Sequence, residues 1–102
     1  MFVKDVNLIN FPEFDEVDLA LIEKSFERFF SKVSSKGERN LSLSLKNYSR
    51  GGLKTQHEVH AKLLLDGVVF VASTKGWQLM ESIQNALKKI EKEVQKSTSK
   101  LN

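Results

Sequence analysis

The strongest constraint on this sequence is the two-residue segment Asp66-Gly67, which lies between two stretches of alternating apolar and polar residues. Asp-Gly is a preferred loop of two-residue β-hairpins, because both positions adopt a positive φ. Val59 to Leu65 and Val68 to Ser73 are therefore predicted to form a hairpin in which Leu65 pairs with Val68. That register places the apolar Val69 and Val71 on the face away from the core.

Two further segments have the periodicity of an amphipathic helix. Apolar residues from about Glu16 to Val33, and again from about Trp77 to Lys96, recur on one face at 100° per residue. Asp15 is the expected N-cap of the first helix. The stretches 34–40 and 47–56 contain serine, glycine and charged residues without periodicity, which predicts loops.

The remaining predicted elements are strands, and together they indicate the fold. Leu41 to Leu45 alternates strictly, and Met1 to Asn10 alternates loosely up to the only proline, as an edge strand does. The order β-α-β-β-β-α predicts an α+β two-layer sandwich, with a mostly antiparallel four-stranded sheet and both helices on one face. The 102 residues leave room for one domain, expected over residues 1–96, with 97–102 as a flexible polar tail.

Nothing in the sequence has the pattern of a catalytic or metal site. The chain has no cysteine, no Walker A or dinucleotide motif and no nucleophile elbow. His57 and His60 are three apart in a predicted strand, so they point to opposite faces and cannot readily share a metal. We expect no enzyme activity, no cofactor, no metal and no small-molecule substrate. No apolar run reaches the ~20 residues of a membrane span, and no leader begins the chain, so no membrane partner and a cytoplasmic location are expected.

Charge is distributed unevenly along the chain. Residues 1–30 carry three basic and seven acidic side chains, whereas residues 31–102 carry 13 basic and six acidic ones. Such asymmetry indicates either a polyanionic partner or an ordinary solvated lysine-rich surface, and charge alone leaves both open.

The helical spacing of the basic residues favours nucleic acid, because stripes of this kind contact phosphates. Few aromatic residues are available for base stacking, which predicts recognition of RNA backbone and shape. The candidate RNA-binding residues are Lys24, Arg28 and Lys32 on the first helix, Lys88, Lys89, Lys92 and Lys96 on the second, and Arg50, Lys54 and Lys75 in the predicted loops.

The stretch from Ala72 to Val94, ASTKGWQLMESIQNALKKIEKEV, resembles the signature A-x-A-x-G-x-D-M-Y-A-A-I-D-x-x-x-D-K-L-E-x-Q-L of the ribosome hibernation-promoting factor family, also called ribosome-associated inhibitor A or protein Y. The preceding hairpin, Glu58 to Val71, resembles the family's H-x-V-x-V-x-L-x-x-x-G hairpin, and the first helix, Ile22 to Val33, resembles the family more weakly. The element order matches over nearly the whole chain. Gln78, Gln84 and Lys88 replace the family's aspartates and Met80 replaces its tyrosine, as in a divergent member. Lys89 and Lys92 match basic positions of the family.

The resemblance implies a stress-response protein that binds the small ribosomal subunit and its rRNA in the channel for mRNA and tRNA, and inhibits translation. It also implies the short form of the family, without the dimerisation domain of long members, and a monomer is expected. Two alternatives remain: a double-stranded-RNA-binding domain, which shares the α-β-β-β-α order, and a protein-interaction module that uses the outer sheet face around Leu64, Val69 and Val71.

Overall fold

The protein is a single mixed sheet with two helices on one face. The computed structural model describes residues 1–33, 37–52 and 54–100, without the side chains of Arg50 and of residues 98–100. The strands lie across the sheet in the order of the chain. They are β1 (Phe2–Val3), β2 (Val6–Ile9), β3 (Arg39–Arg50), β4 (Lys54–Leu65) and β5 (Val68–Gly76), and the helices are α1 (Glu16–Lys32) and α2 (Leu79–Lys100).

The first ten residues form a hairpin, and the prediction of a single edge strand is wrong. Lys4 and Asp5 have φ values of 50° and 66°, so the chain reverses there and β1 pairs antiparallel with β2. The sheet consequently has five strands rather than four. The pair β2–β3 is parallel, because α1 crosses over between these two strands, and the other pairs are antiparallel.

The predicted loop 47–56 is instead the far end of a long hairpin. β3 and β4 pair continuously from Arg39 opposite Leu65 to Arg50 opposite Lys54. Gly51 and Gly52 reverse the chain with φ values of 68° and 76°. The alternation of apolar residues stops after Leu45 because the strands extend past the core, where both faces meet water and no apolar side is required. A strand of this length spans about 40 Å, which agrees with the 50 Å long axis of the molecule.

The predicted β4–β5 hairpin is confirmed in turn and register. Asp66 and Gly67 have φ values of 50° and 86°, and Leu65 pairs with Val68. The Asp66 carboxylate also accepts a hydrogen bond from the Gly37 amide at 2.9 Å. Val69 and Val71 are exposed on the outer face, as the alternation indicates.

Both helices bury one apolar stripe against the sheet. Asp15 caps α1 as predicted, since its carboxylate accepts a 2.8 Å hydrogen bond from the Asp18 amide. α2 begins two residues after Trp77 and runs through Lys100, past the predicted end at Lys96. Each helix follows a strand that is parallel to β3, so the two helices run roughly parallel to each other.

One core joins both helices to the sheet, so the predicted two-layer α+β sandwich is confirmed. Its largest fully buried side chains come from β2, β3, β4 and both helices. They are Phe26, Ile22, Leu41, Leu43, Leu63, Ile83, Ile90, Val6, Val33 and Val59. The division into a domain over 1–96 and a tail over 97–102 stays a prediction, and part of the predicted loop 34–40 lies outside the described residues. In the part of the chain that the structure describes, no helix has the length and apolar character needed to cross a membrane.

Candidate nucleic-acid interface

A groove between the two helices brings three of the predicted basic residues together. Arg28 and Lys32 of α1 and Lys88 of α2 line a depression of about 160 Å³. Its remaining lining residues are Ser25, Phe29, Gln84, Leu87 and Glu91. Because the helices are parallel and adjacent, residues four apart on α1 face the equivalent turn of α2. Arg28 and Lys32 of the first basic stripe therefore meet Lys88 of the second in this depression, which we call the helix groove.

The cations of the helix groove differ in what they contact. Lys32 Nζ lies 3.9 Å from a carboxylate oxygen of Glu91 across the groove, so part of its charge is compensated. Arg28 and Lys88 are exposed and have no ion pair with any residue in the described ranges. These two are the groove cations most available to an anionic ligand.

Three predicted residues continue the stripes but lie outside the helix groove. Lys24 lines a separate apolar surface of α1 with Val17 and Leu21, because a stripe spaced four apart drifts around a 3.6-residue helix. Lys92 and Lys96 lie on α2 beyond the level of Glu91, which already contacts the end of α1. Lys96 is 3.9 Å from its neighbour Glu93.

Lys89 belongs to the opposite flank of α2. Its ammonium group donates a 2.9 Å hydrogen bond to the carbonyl of Ser73 in the edge strand β5. A lysine on an open sheet edge hinders pairing with another strand. Lys89 thus forms a hydrogen bond with the edge strand of the sheet and does not line the helix groove.

Lys54 and Lys75 lie at the far end of the sheet, on the face opposite the helices. Lys75 and Lys54 both have their ammonium groups near aromatic rings, at 5.9 Å from the centre of Tyr48 and 6.0 Å from that of Trp77. Arg50 pairs with Lys54 in the hairpin, and its side chain lies outside what the structure describes.

A single carboxylate organises this end of the outer face. Glu58 Oε1 accepts a 3.2 Å hydrogen bond from the Tyr48 hydroxyl and lies 2.9 Å from His60 Nε2, while Lys75 Nζ is 3.5 Å from Oε2. The His60 hydrogen bond does most to lower the pKa of Glu58. Partial burial opposes that shift, and Tyr48 and the charges of His60 and Lys75 lower the pKa further. His57 instead contacts Asn47, one residue out of phase and so on the other face.

Sequence reasoning missed several residues of these surfaces. Glu91 and Gln84 line the helix groove because they flank the apolar stripe of α2, a position that a helical wheel identifies only once α1 is known to lie beside it. Tyr48 of β3 and Trp77, directly after β5, lie on either side of β4. They do so only because β3 and β4 pair as far as Arg50 and Lys54, which the apolar periodicity did not indicate.

The architecture defines a class of protein: a two-layer α+β domain with parallel helices on a sheet of order β1-β2-β3-β4-β5 and a basic groove between the helices. Among solved structures, the chain is similar to the crystal structure of the Thermus thermophilus Protein Y N-terminal domain. The TM-score is 0.58 and the identity 16%, over 94% of this chain and 98% of that one. The match confirms the fold that the sequence resemblance implied. No family model and no curated protein matches the chain.

Proposed function

We propose that this protein is a cytoplasmic hibernation factor that binds the small ribosomal subunit, occupies the channel for mRNA and tRNA, and so inhibits translation under stress. It acts as a monomer and contacts rRNA through the helix groove and the stripes that continue from it. The proposal combines the sequence resemblance, the similarity in fold to a Protein Y domain and the basic groove.

The observation that carries the proposal is the position of Arg28 and Lys88 on opposite walls of one groove, exposed and without an ion pair to any described residue. A phosphate in the groove would replace solvent around both cations and release counterions, which drives binding to RNA backbones. Lys32 adds a third cation when the phosphate competes with Glu91. The two-layer core below the helices fixes the distance between the backbone positions of these residues.

The geometry is less suited to the double-stranded-RNA alternative than to the proposed function. A double-stranded-RNA-binding domain would have lysines at the start of its last helix, whereas the first turn of α2 carries Glu81. A protein-interaction module would use the apolar part of the outer face, where the partly buried Leu64 and the exposed Val69 and Val71 meet.

Sedimentation through a sucrose gradient tests the proposed function. Purified protein should migrate with isolated small subunits at low salt, and an excess of mRNA with tRNA should displace it. Addition of the protein to a cell-free translation reaction should reduce synthesis in proportion to occupancy. Failure to migrate with small subunits would contradict the proposal, and tight binding to naked duplex RNA instead would favour the double-stranded-RNA alternative.

A further inference from the structure

The only tyrosine and the only tryptophan of the chain lie near the same end of the sheet, each about 6 Å from a lysine of its outer face. Tyr48 of β3 is paired with Gln56 of β4, and both point away from the helices. Gly76, the last residue of β5, is paired with His57, and Trp77 follows directly after it with its ring centre 6.0 Å from Lys54 Nζ of β4. We call Tyr48, Gln56 and Trp77 the aromatic row.

Both rings of the aromatic row are accessible to a ligand. Trp77 is 54% exposed and Tyr48 is 37% exposed. At Gly76, directly before Trp77, the chain passes close to α2, since a Cβ there would lie 2.8 Å from Ser82 Oγ. Tyr48 is oriented by the hydrogen bond from its hydroxyl to Glu58.

The aromatic row is surrounded by positive charge. Lys54 and Lys75 lie about 6 Å from the two ring centres, at the outer limit of a cation–π contact, so a ligand can engage them at small cost. Two acidic side chains lie nearby. Glu58 is only 13% exposed and is held by Lys75, His60 and the Tyr48 hydroxyl, and Glu81 lines the depression beside Trp77 on the side of α2. Lys54 and Lys75 are therefore the groups of this surface that an anionic ligand would contact.

Exposed aromatic rings beside lysines are the combination that binds unpaired nucleotides. Each ring offers a face on which a base stacks, and each lysine a partner for the adjoining phosphate. A depression of about 260 Å³ beside Trp77 is lined by Gln78 and Asn85, whose amides can pair with the edge of a base. A duplex does not fit this chemistry, because its bases are already stacked on each other.

We propose that the aromatic row is a second nucleic-acid site, which binds single-stranded RNA by stacking bases on Tyr48 and Trp77 with phosphates at Lys54 and Lys75. This site lies on the face opposite the helix groove, so the domain contacts RNA on both sides. The choice of RNA over DNA as the ligand rests on the proposed ribosomal function. The inference that bases stack on Tyr48 and Trp77 does not depend on that function.

The single tryptophan makes the site directly observable, because Trp77 is the only indole in the chain. Titration with octauridylate, whose bases stack weakly on one another, should quench the tryptophan fluorescence saturably. Loss of one stacked base costs about 1–3 kcal/mol, so Y48A should weaken binding about 5- to 150-fold. Y48F keeps the ring and should bind within about 3-fold of the parent chain, which separates stacking from the hydrogen bond to Glu58.

Controls distinguish this site from the helix groove and from a general loss of structure. Replacement of the exposed Val71 by alanine should leave binding unchanged, and circular dichroism should show Y48A to be folded. The groove variant R28Q/K88Q should retain quenching by octauridylate even where it loses small subunits. Absence of quenching, equal quenching by an eight-base-pair RNA duplex, binding of octathymidylate without octauridylate, or unchanged affinity in folded Y48A would each overturn the inference.

Discussion

Neutralising the two unpaired cations of the helix groove gives the most direct test of how this protein engages RNA. The variant R28Q/K88Q removes two positive charges from opposite walls of the groove and leaves Lys32 in place. Both side chains are exposed and form no ion pair within the described residues, so their loss leaves no buried charge behind. The fold should therefore be unaffected, and the whole effect should appear in binding.

The salt dependence of binding gives the expected size of the loss in affinity. The logarithm of the association constant falls by about 0.7 to 0.9 per neutralised phosphate for each tenfold increase in salt. Two lost contacts should therefore reduce the slope by about 1.4 to 1.8. The electrostatic contribution of the two contacts vanishes near 1 M salt, and 0.1 M lies one tenfold step below that. The association constant at 0.1 M salt should therefore fall by about 25- to 60-fold, or about 2 kcal/mol.

The assay is titration of labelled protein with small subunits at several salt concentrations. The matched control is K4Q/K62Q, which makes the same change in net charge at lysines outside the helix groove: Lys4 pairs with Glu27, and Lys62 lies on the outer sheet face. An unchanged slope for R28Q/K88Q, or an equal loss in the control, would refute the assignment of the groove.

A complementary variant should act in the opposite direction. Glu91 lies 3.9 Å from Lys32 and compensates part of its charge, so E91Q should free that lysine for a phosphate. One additional contact strengthens binding by at most about 5- to 8-fold at 0.1 M salt. Weaker binding of E91Q in the same titration would show that the carboxylate positions Lys32 rather than competing for it.

Three further predictions concern the scaffold. F26A removes a fully buried ring from between the helices and the sheet, and should lower the free energy of unfolding in urea by about 3–5 kcal/mol, whereas V17A at an exposed position of α1 should change it little. G76A introduces a Cβ 2.8 Å from Ser82 Oγ and should cost about 1–3 kcal/mol, and S82A in the same chain should recover part of that loss if the steric reading is right. Because the pKa of Glu58 is lowered in the folded state, its stabilising contribution is fully present above the ordinary value of 4.5 and is lost as the pH falls through the folded pKa. E58Q should flatten this part of the acid dependence of stability, measured from about pH 7 to about pH 3, and an identical profile for both chains would contradict it.

The elements that could be predicted are those with a local signal. Asp66-Gly67 specifies its own turn, and the alternation on either side specifies the register, so the β4–β5 hairpin is as expected. The two helices follow from the spacing of their apolar residues, and the Asp15 cap from its position before an acidic first turn. In each case the information lies within a few residues of the element.

The errors occur where the apolar pattern or the turn residues give no local indication of the structure. The ends of β3 and β4 are polar on both faces, so no periodicity identifies them, and only the partner strand with its Gly51-Gly52 turn holds them extended. Apolar periodicity reports burial, and the ends of β3 and β4 are largely exposed. The N-terminal hairpin was missed for another reason, because Lys4 and Asp5 form a tight turn without the glycine that usually indicates one.

By itself, the sequence determined that this is one α+β domain with two amphipathic helices and basic stripes beside their apolar faces. The tertiary structure alone decided which charges meet. It brought Arg28, Lys32 and Lys88 into one groove, because parallel helices align equivalent turns, and it placed Lys89 at the edge of β5. It also placed the only tyrosine, Tyr48, and the only tryptophan, Trp77, near the same end of the sheet. Helical and strand periodicity specify the face of an element, whereas the neighbour that this face meets depends on packing across the whole chain.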